Sequence, residues 1–183
     1  WYANCFTNTK PFTMKKIITL ALIPVLFLVS GCTKNALTGK SYVSLVSESQ
    51  LQEMAVTEYR QFLSQSKVLS TSSNKDAEMV KRVGTRLAAA ANRYMDSIGA
   101  SDKLKGYQWE FNLVDNKEVN AWCMPGGKVV VYTGLLPIAQ NEAALAIVLG
   151  HEIIHAVAEH GGQRMNNTLM AQGLGTLGDA LTS

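Results

Sequence analysis

Cysteine is scarce in this chain: Cys5, Cys32 and Cys123 are the three among 183 residues. Cys5 and Cys32 fall in the first thirty-two positions, so only Cys123 stands in the body of the chain. A disulfide-stapled fold is excluded there. Cys123 reads as a small apolar filler on a strand, with little to support a nucleophile. A charge of one sign is missing as well. The net charge of +3 is carried by Lys10, Lys15 and Lys16, the only charges before Cys32. From Cys32 onward fourteen basic residues face fourteen acidic ones. No basic footprint remains, and nucleic acid is excluded as a partner. Internal repeats and low-complexity tracts are absent, which excludes solenoids and arrays. The one long apolar run, Ile17 to Val29, is shorter than the ~20 residues a spanning helix needs. What is present is ordinary for one globular domain with a core: 47% hydrophobic and 17% charged residues.

The beginning has the form of a secretory leader. Met14-Lys15-Lys16 is a positive start, Ile17 to Val29 an apolar centre, and Ser30-Gly31-Cys32 a small-residue end with cysteine. Val29-Ser30-Gly31-Cys32 resembles the lipobox of bacterial lipoproteins. Residues 14–31 are then a signal peptide and Cys32 the lipidated first residue that attaches the chain to a membrane. The alternative is an uncleaved membrane anchor, against which Pro24 and the small residues argue. Trp1 to Thr13 has no place ahead of a signal peptide and reads as upstream, non-native sequence. Thr33 to Lys40 is polar with Gly39 and reads as a short tether, which is placed over residues 32–45.

The domain proper is expected over residues 46–183. Ser47 and Gln50 form a capping-box pattern opening a helix. Leu51, Met54, Ala55, Tyr59, Phe62 and Leu63 are its apolar stripe. A second helix follows Asn74, with Met79, Val80, Val83, Leu87 and Ala90 inward. Its basic residues Lys81, Arg82, Arg86 and Arg93 read as a solvated face, with a phosphate or headgroup patch as the alternative. Tyr107 to Val114 alternates as a half-buried strand. Asp115-Asn116 is a turn, Val119 to Met124 a second strand, and Pro125-Gly126-Gly127 a tight turn. Val129 to Tyr132 is a third strand, apolar enough to be covered on both faces. Asn141 caps a further helix, with Glu142 in its first turn.

That last helix carries His151-Glu152-Ile153-Ile154-His155. From Ala143 to Val157 only these two histidines and Glu152 are strongly polar. Residues four apart lie one above the other on one helix face, so both imidazoles can reach one ion, with Glu152 beside it. The pattern is the metallopeptidase one: two histidines on zinc, and the glutamate as the base that takes a proton from water. A catalytic zinc needs a third protein ligand. His160 lies about 180° from His151 at ~100° per residue and cannot join while the helix continues. Glu159 is two turns along, and the only later acid is Asp179. Gly at the position of Ala158 and His at that of Gly161 would mark a metzincin, and neither is present.

Three segments together carry a family resemblance: Asn120-Ala121-Trp122-Cys123-Met124-Pro125-Gly126-Gly127, Val131-Tyr132-Thr133-Gly134-Leu135-Leu136, and His151 to Ala156. Over about Tyr42 to Met165 the chain resembles the HtpX-like zinc metallopeptidases, relatives of the CAAX prenyl proteases. The leader points to the periplasmic lipoprotein branch with BepA-like and LoiP-like members. The resemblance implies an α+β, zincin-like fold with N-terminal helices, a small antiparallel sheet and then the active-site helix. It implies one zinc ion on His151 and His155, Glu152 as catalytic residue, and endopeptidase activity on proteins or peptides in the bacterial cell envelope, in protein quality control. It makes Asn120, Ala121 and Trp122 a substrate-binding edge strand. The family's third ligand is a Glu on a further helix, which nothing in this chain matches. The expectation is therefore a C-terminally truncated domain, lipid-anchored at Cys32, facing the periplasm from the outer membrane. Its rival is a metal-poor envelope lipoprotein acting as a binding or chaperone-like module.

Overall fold

The computed structural model describes residues 32–182, with side chains over 34–172. The leader at 14–31 and the segment before it lie outside the described residues, as does the side chain of Cys32. A two-stranded ribbon comes first, β1 (Cys32–Lys34) with β2 (Ser41–Val43). Then follow α1 (Glu48–Ser64), β3 (Val68–Leu69), α2 (Lys75–Ser97), β4 (Glu110–Val114), β5 (Ala121–Met124) and β6 (Lys128–Tyr132). A short α3 (Leu136–Ala139) leads to α4 (Glu142–Val157) and α5 (His160–Thr182). The architecture is α+β.

Capping fixes the helix starts. Ser47 and Gln50 make the capping box, with the Gln50 side chain accepting from Ser47 N at 3.0 Å. Asn74 accepts from Ala77 N and Asn141 from Ala144 N, each at 2.9 Å. The buried stripe of α1 is Leu51, Ala55 and Tyr59, while Met54 is exposed. In α2 the buried residues are Ala77, Val80, Val83, Gly84, Ala88 and Met95, so Ala88 takes the place expected for Ala90. Lys81, Arg82, Arg86 and Arg93 are exposed, and Arg82 pairs with Glu142 at the start of α4.

The four-stranded sheet runs β3-β4-β6-β5. Val129 and Val131 point into the core shared with α2 and α4; Val130 and Tyr132 point to the opposite face, where Tyr59 and Phe62 of α1 cover them. All five β6 residues are buried, so this strand is covered on both sides. The chain thus forms three layers: α1, the sheet, then α2 with α4. Pro125-Gly126-Gly127 closes the β5–β6 hairpin, both glycines at positive φ (79° and 80°), a conformation other residues adopt only with strain.

Two expectations are corrected. The sheet is mixed, not antiparallel: β4 and β6 pair in parallel, Glu110 opposite Lys128 through Val114 opposite Tyr132. Asp115-Asn116 does not fold β5 back against β4. The chain instead crosses to the far side of β6, held by Thr133 Oγ1 donating to Asn116 O at 2.9 Å and Gly134 N to the same oxygen at 2.9 Å. Only glycine fits at 134, where a Cβ would lie 2.2 Å from Lys117 O. β5 is thereby placed at the sheet edge, beside α4.

The expected tether at 32–45 is also no tether over its described residues. Asn35 is 1% exposed. Its Nδ2 donates to Ala158 O at 2.5 Å, and its Oδ1 accepts from Leu37 N and Thr38 N. Tyr42 Oη donates to Glu159 Oε2 at 2.6 Å. Buried Asn166 of α5 accepts from Leu45 N and Val46 N. The segment is a strap over the α4–α5 junction, held by buried polar side chains and by Leu37 packed against the core. Among the described residues no helix is long and apolar enough to cross a membrane.

Candidate metal centre and cleft

Leu145, Leu149, Ile153, Ala156 and Val157 bury one face of α4. The opposite face is open: Ile147 is 75% and Ile154 55% exposed, and His151 is exposed between them. The helix is therefore less enclosed than its composition suggests. His151 stands at the mouth of a cleft, with Glu152 and His155 half-buried beside it.

The two imidazoles face each other, His151 Nε2 to His155 Nε2 at 2.9 Å, with ring planes 86° apart. Two such nitrogens can approach only with a proton, or another cation, between them. Zinc–nitrogen bonds of about 2.0–2.1 Å in a tetrahedron put ligand nitrogens roughly 3.4 Å apart. Opening the pair by about half an ångström therefore admits that ion. The two imidazoles fit zinc in kind and direction. Among the described residues no group of three or more His, Cys, Asp or Glu side chains is arranged to hold one ion.

His160 is the residue whose position differs most from expectation. α4 does not continue into α5. Ala158 ends it and Glu159 turns through φ +57°, in the left-handed region. Glu159 is 6% exposed, its carboxylate held by Tyr42 and by Lys103 Nζ at 3.0 Å. The break swings His160 back, and its Nδ1 lies 2.6 Å from His155 Nδ1. Burial, then the His155 ring and Arg164, hold the His160 pKa below its usual value. Sequence reasoning placed His160 opposite the site because it assumed an unbroken helix. It missed Asn35, Tyr42 and Lys103 altogether, since their partners lie 123, 117 and 56 residues away.

The cleft, of about 270 Å³, is lined by His151, Glu152 and His155 together with Trp122, Cys123 and Pro125 of the β5–β6 hairpin. β5 is the terminal strand of its sheet. Tyr132 N donates to Asn120 O at 3.0 Å, which makes Asn120 and Tyr132 a hydrogen-bonded pair. Alternation along an antiparallel ladder then turns the backbone N–H and C=O of Ala121 and Cys123 to the outer edge. Of the three expected edge residues, Ala121 alone has that orientation. Asn120 is exposed but faces its backbone to β6. The Trp122 ring packs edge-on against Tyr59 and Phe62, with centroids 6.2 and 5.1 Å away. Burial, reinforced by the Glu152 charge, pushes the Cys123 thiol up to about 12. A thiol so disfavoured as thiolate is no nucleophile.

Comparison with known proteins gives a consistent picture. A model of "Peptidase family M48" matches residues 74–181. The chain is 44% identical over 70 residues to the mitochondrial metalloendopeptidase OMA1 of Arabidopsis thaliana, covering 38% of this chain and 14% of that one. Against the mitochondrial metalloendopeptidase OMA1 of Bos taurus it is 25% identical over 159 residues, 87% of this chain and 29% of that one. Against the beta-barrel assembly-enhancing protease of Escherichia coli it is 30% identical over 90 residues, 49% of this chain and 16% of that one. The chain thus spans less than a third of the length of each of these relatives.

Proposed function

This chain belongs to peptidase family M48, and on that premise we propose that it forms the zinc-binding part of a metalloendopeptidase acting on protein or peptide substrates. The observation that carries the reading is the pair of Nε2 atoms at 2.9 Å, with Glu152 beside them, in a cleft walled by an edge strand.

In this reading His151 and His155 hold the ion. A zinc ion bound there supplies Lewis acidity, polarising a carbonyl and bringing the pKa of water toward neutrality. Glu152 takes the proton from the attacking water and delivers it to the leaving amine. Ala121 and Cys123 offer backbone donors and acceptors to an extended substrate, which pairs as an added strand; affinity then comes from main-chain bonds with little demand on sequence. Asn120 and Trp122 support that strand, Trp122 by anchoring it to α1. By resemblance the third zinc ligand is a Glu on another helix; among the described residues no group of three such donors stands together.

Placement in the bacterial envelope, anchored at Cys32, rests on the Met14 to Cys32 pattern. Relatives named as mitochondrial stand beside a beta-barrel assembly-enhancing protease, so their names favour no one compartment. Lipid labelling of Cys32, abolished by Cys32→Ala, tests the anchor. The activity is tested on the full-length protein by comparing Glu152→Gln with the parent in casein degradation. Loss of at least a hundredfold supports the mechanism. Equal activity overturns it and leaves the non-catalytic binding module, the reading that an incomplete donor set favours.

A further inference from the structure

An imidazole that binds a metal through one nitrogen must carry its proton on the other, and that N–H needs a partner to fix the ring. In this fold the two nitrogens of His155 point to different neighbours. Nε2 faces His151 at 2.9 Å and Nδ1 faces His160 at 2.6 Å. Because Nδ1 and Nε2 lie on different edges of the ring, His160 is behind His155 as seen from His151. It cannot share an ion with the pair in this arrangement. The geometry points to a different role: we propose that His160 is a positioning residue, which accepts a hydrogen bond from His155 Nδ1–H and so fixes His155 in the tautomer and rotation that present Nε2 to zinc. This rests on the metal-site reading above.

The surrounding structure is built to deliver that contact. In a continuous helix His160 would lie opposite His151. It reaches His155 only because Glu159 occupies the left-handed region. That turn is anchored from two separate segments: the strap, through Asn35 on Ala158 O at 2.5 Å and Tyr42 on the Glu159 carboxylate at 2.6 Å, and Lys103 on the same carboxylate at 3.0 Å. A fourth bond comes from α5 itself, Gln163 Nε2 to Ala158 O at 3.2 Å. A strained non-glycine turn persists only where its surroundings over-determine it. Here the product of that constraint is one histidine seated on the back of another. The tautomers follow: His155 protonated on Nδ1, His160 accepting at Nδ1 and protonated on Nε2.

Outer partners of metal-bound histidines typically contribute about 10–100-fold to metal affinity. Zinc titration of the whole chain by calorimetry, with His151→Ala, His155→Ala, His160→Ala and His160→Asn, tests the role. His160→Ala should weaken zinc binding about 10–100-fold while lowering the melting temperature of the metal-free protein by no more than the few degrees that one lost hydrogen bond costs. His160→Asn, whose amide oxygen can stand where Nδ1 stood, should recover most of that loss. Should His160→Ala bind zinc as the parent does, or His160→Asn bind as weakly as His160→Ala, the role is refuted. If His160→Ala does not fold, histidine nitrogen shifts in the zinc-loaded parent decide: an Nδ1–H His155 beside an Nε2–H His160 supports the role, any other pair overturns it. Failure of the underlying metal-site reading looks different, because then His151→Ala and His155→Ala would leave zinc binding unchanged too.

Discussion

Removing one hydroxyl tests whether the segment before α1 is part of the fold. Tyr42 Oη donates to Glu159 Oε2 at 2.6 Å, and Glu159 is 6% exposed at a strained φ of +57°. Tyr42→Phe keeps the ring and deletes the donor. A hydrogen bond to a charged group contributes about 1.5–3 kcal/mol, and its loss leaves a buried carboxylate short of a partner. Lys103 still pairs with the other oxygen at 3.0 Å, so about 2 kcal/mol is the expected cost. For a domain of this size each kcal/mol moves the melting temperature roughly 2–4 °C. Tyr42→Phe should therefore melt about 4–8 °C lower by calorimetry. In a Glu159→Gln background the same substitution should cost less than half as much, since the two residues act on one bond. Were the segment a solvated tether, the change would stay within about 0.5 kcal/mol. A shift below about 1 °C, or full additivity with Glu159→Gln, would refute the strap.

Three further outcomes follow from the core. Cys123, with its thiol pushed up to about 12, should resist iodoacetamide at pH 8 in the native protein and react readily in urea; equal rates at Cys123 by mass spectrometry would contradict the raised pKa. Burial raises the Tyr59 pKa to about 12, and a raised pKa favours the protonated folded form. That stability is whole below pH 10 and lost as pH rises from 10 to about 12. The urea midpoint should begin to fall above pH 10, less steeply in Tyr59→Phe, and an unchanged slope in that variant would count against it. Gly134→Ala would drive a Cβ to 2.2 Å from Lys117 O, backbone that cannot swing away. It should cost about 1–3 kcal/mol in chemical denaturation, and a neutral result would mean that the crossing loop lies elsewhere.

Local chemistry was legible in the sequence wherever a short-range signal decided the structure. The caps at Ser47, Asn74 and Asn141, the turn at Gly126-Gly127 and the doubly covered β6 all follow from neighbours within a few residues. The histidine pair follows from the helical repeat alone. What escaped was set at long range. Asp115-Asn116 has turn chemistry whether or not the next strand pairs with the last one. The crossing to a parallel partner is held by Thr133 and Gly134, in the helical turn that follows β6. Thr33 to Lys40 is polar, and a polar stretch reads as solvated unless its partners are known; those of Asn35, and of Tyr42, Leu45 and Val46 just after it, lie more than a hundred residues away. The break at Glu159 escaped because no glycine or proline occupies position 159, and Gly161-Gly162, the nearest break signal, lies inside α5 instead. Tertiary bonds impose it, and the position of His160 depends on it.

The most direct measurement is a crystal of this protein grown with zinc and recorded on both sides of the zinc absorption edge. One anomalous peak is expected within bonding reach of both His151 Nε2 and His155 Nε2, with Glu152 beside it and the His155 Nδ1–His160 Nδ1 contact kept. The absence of a peak there, with the two rings turned apart or bonded only to protein groups, would contradict the metal-site reading.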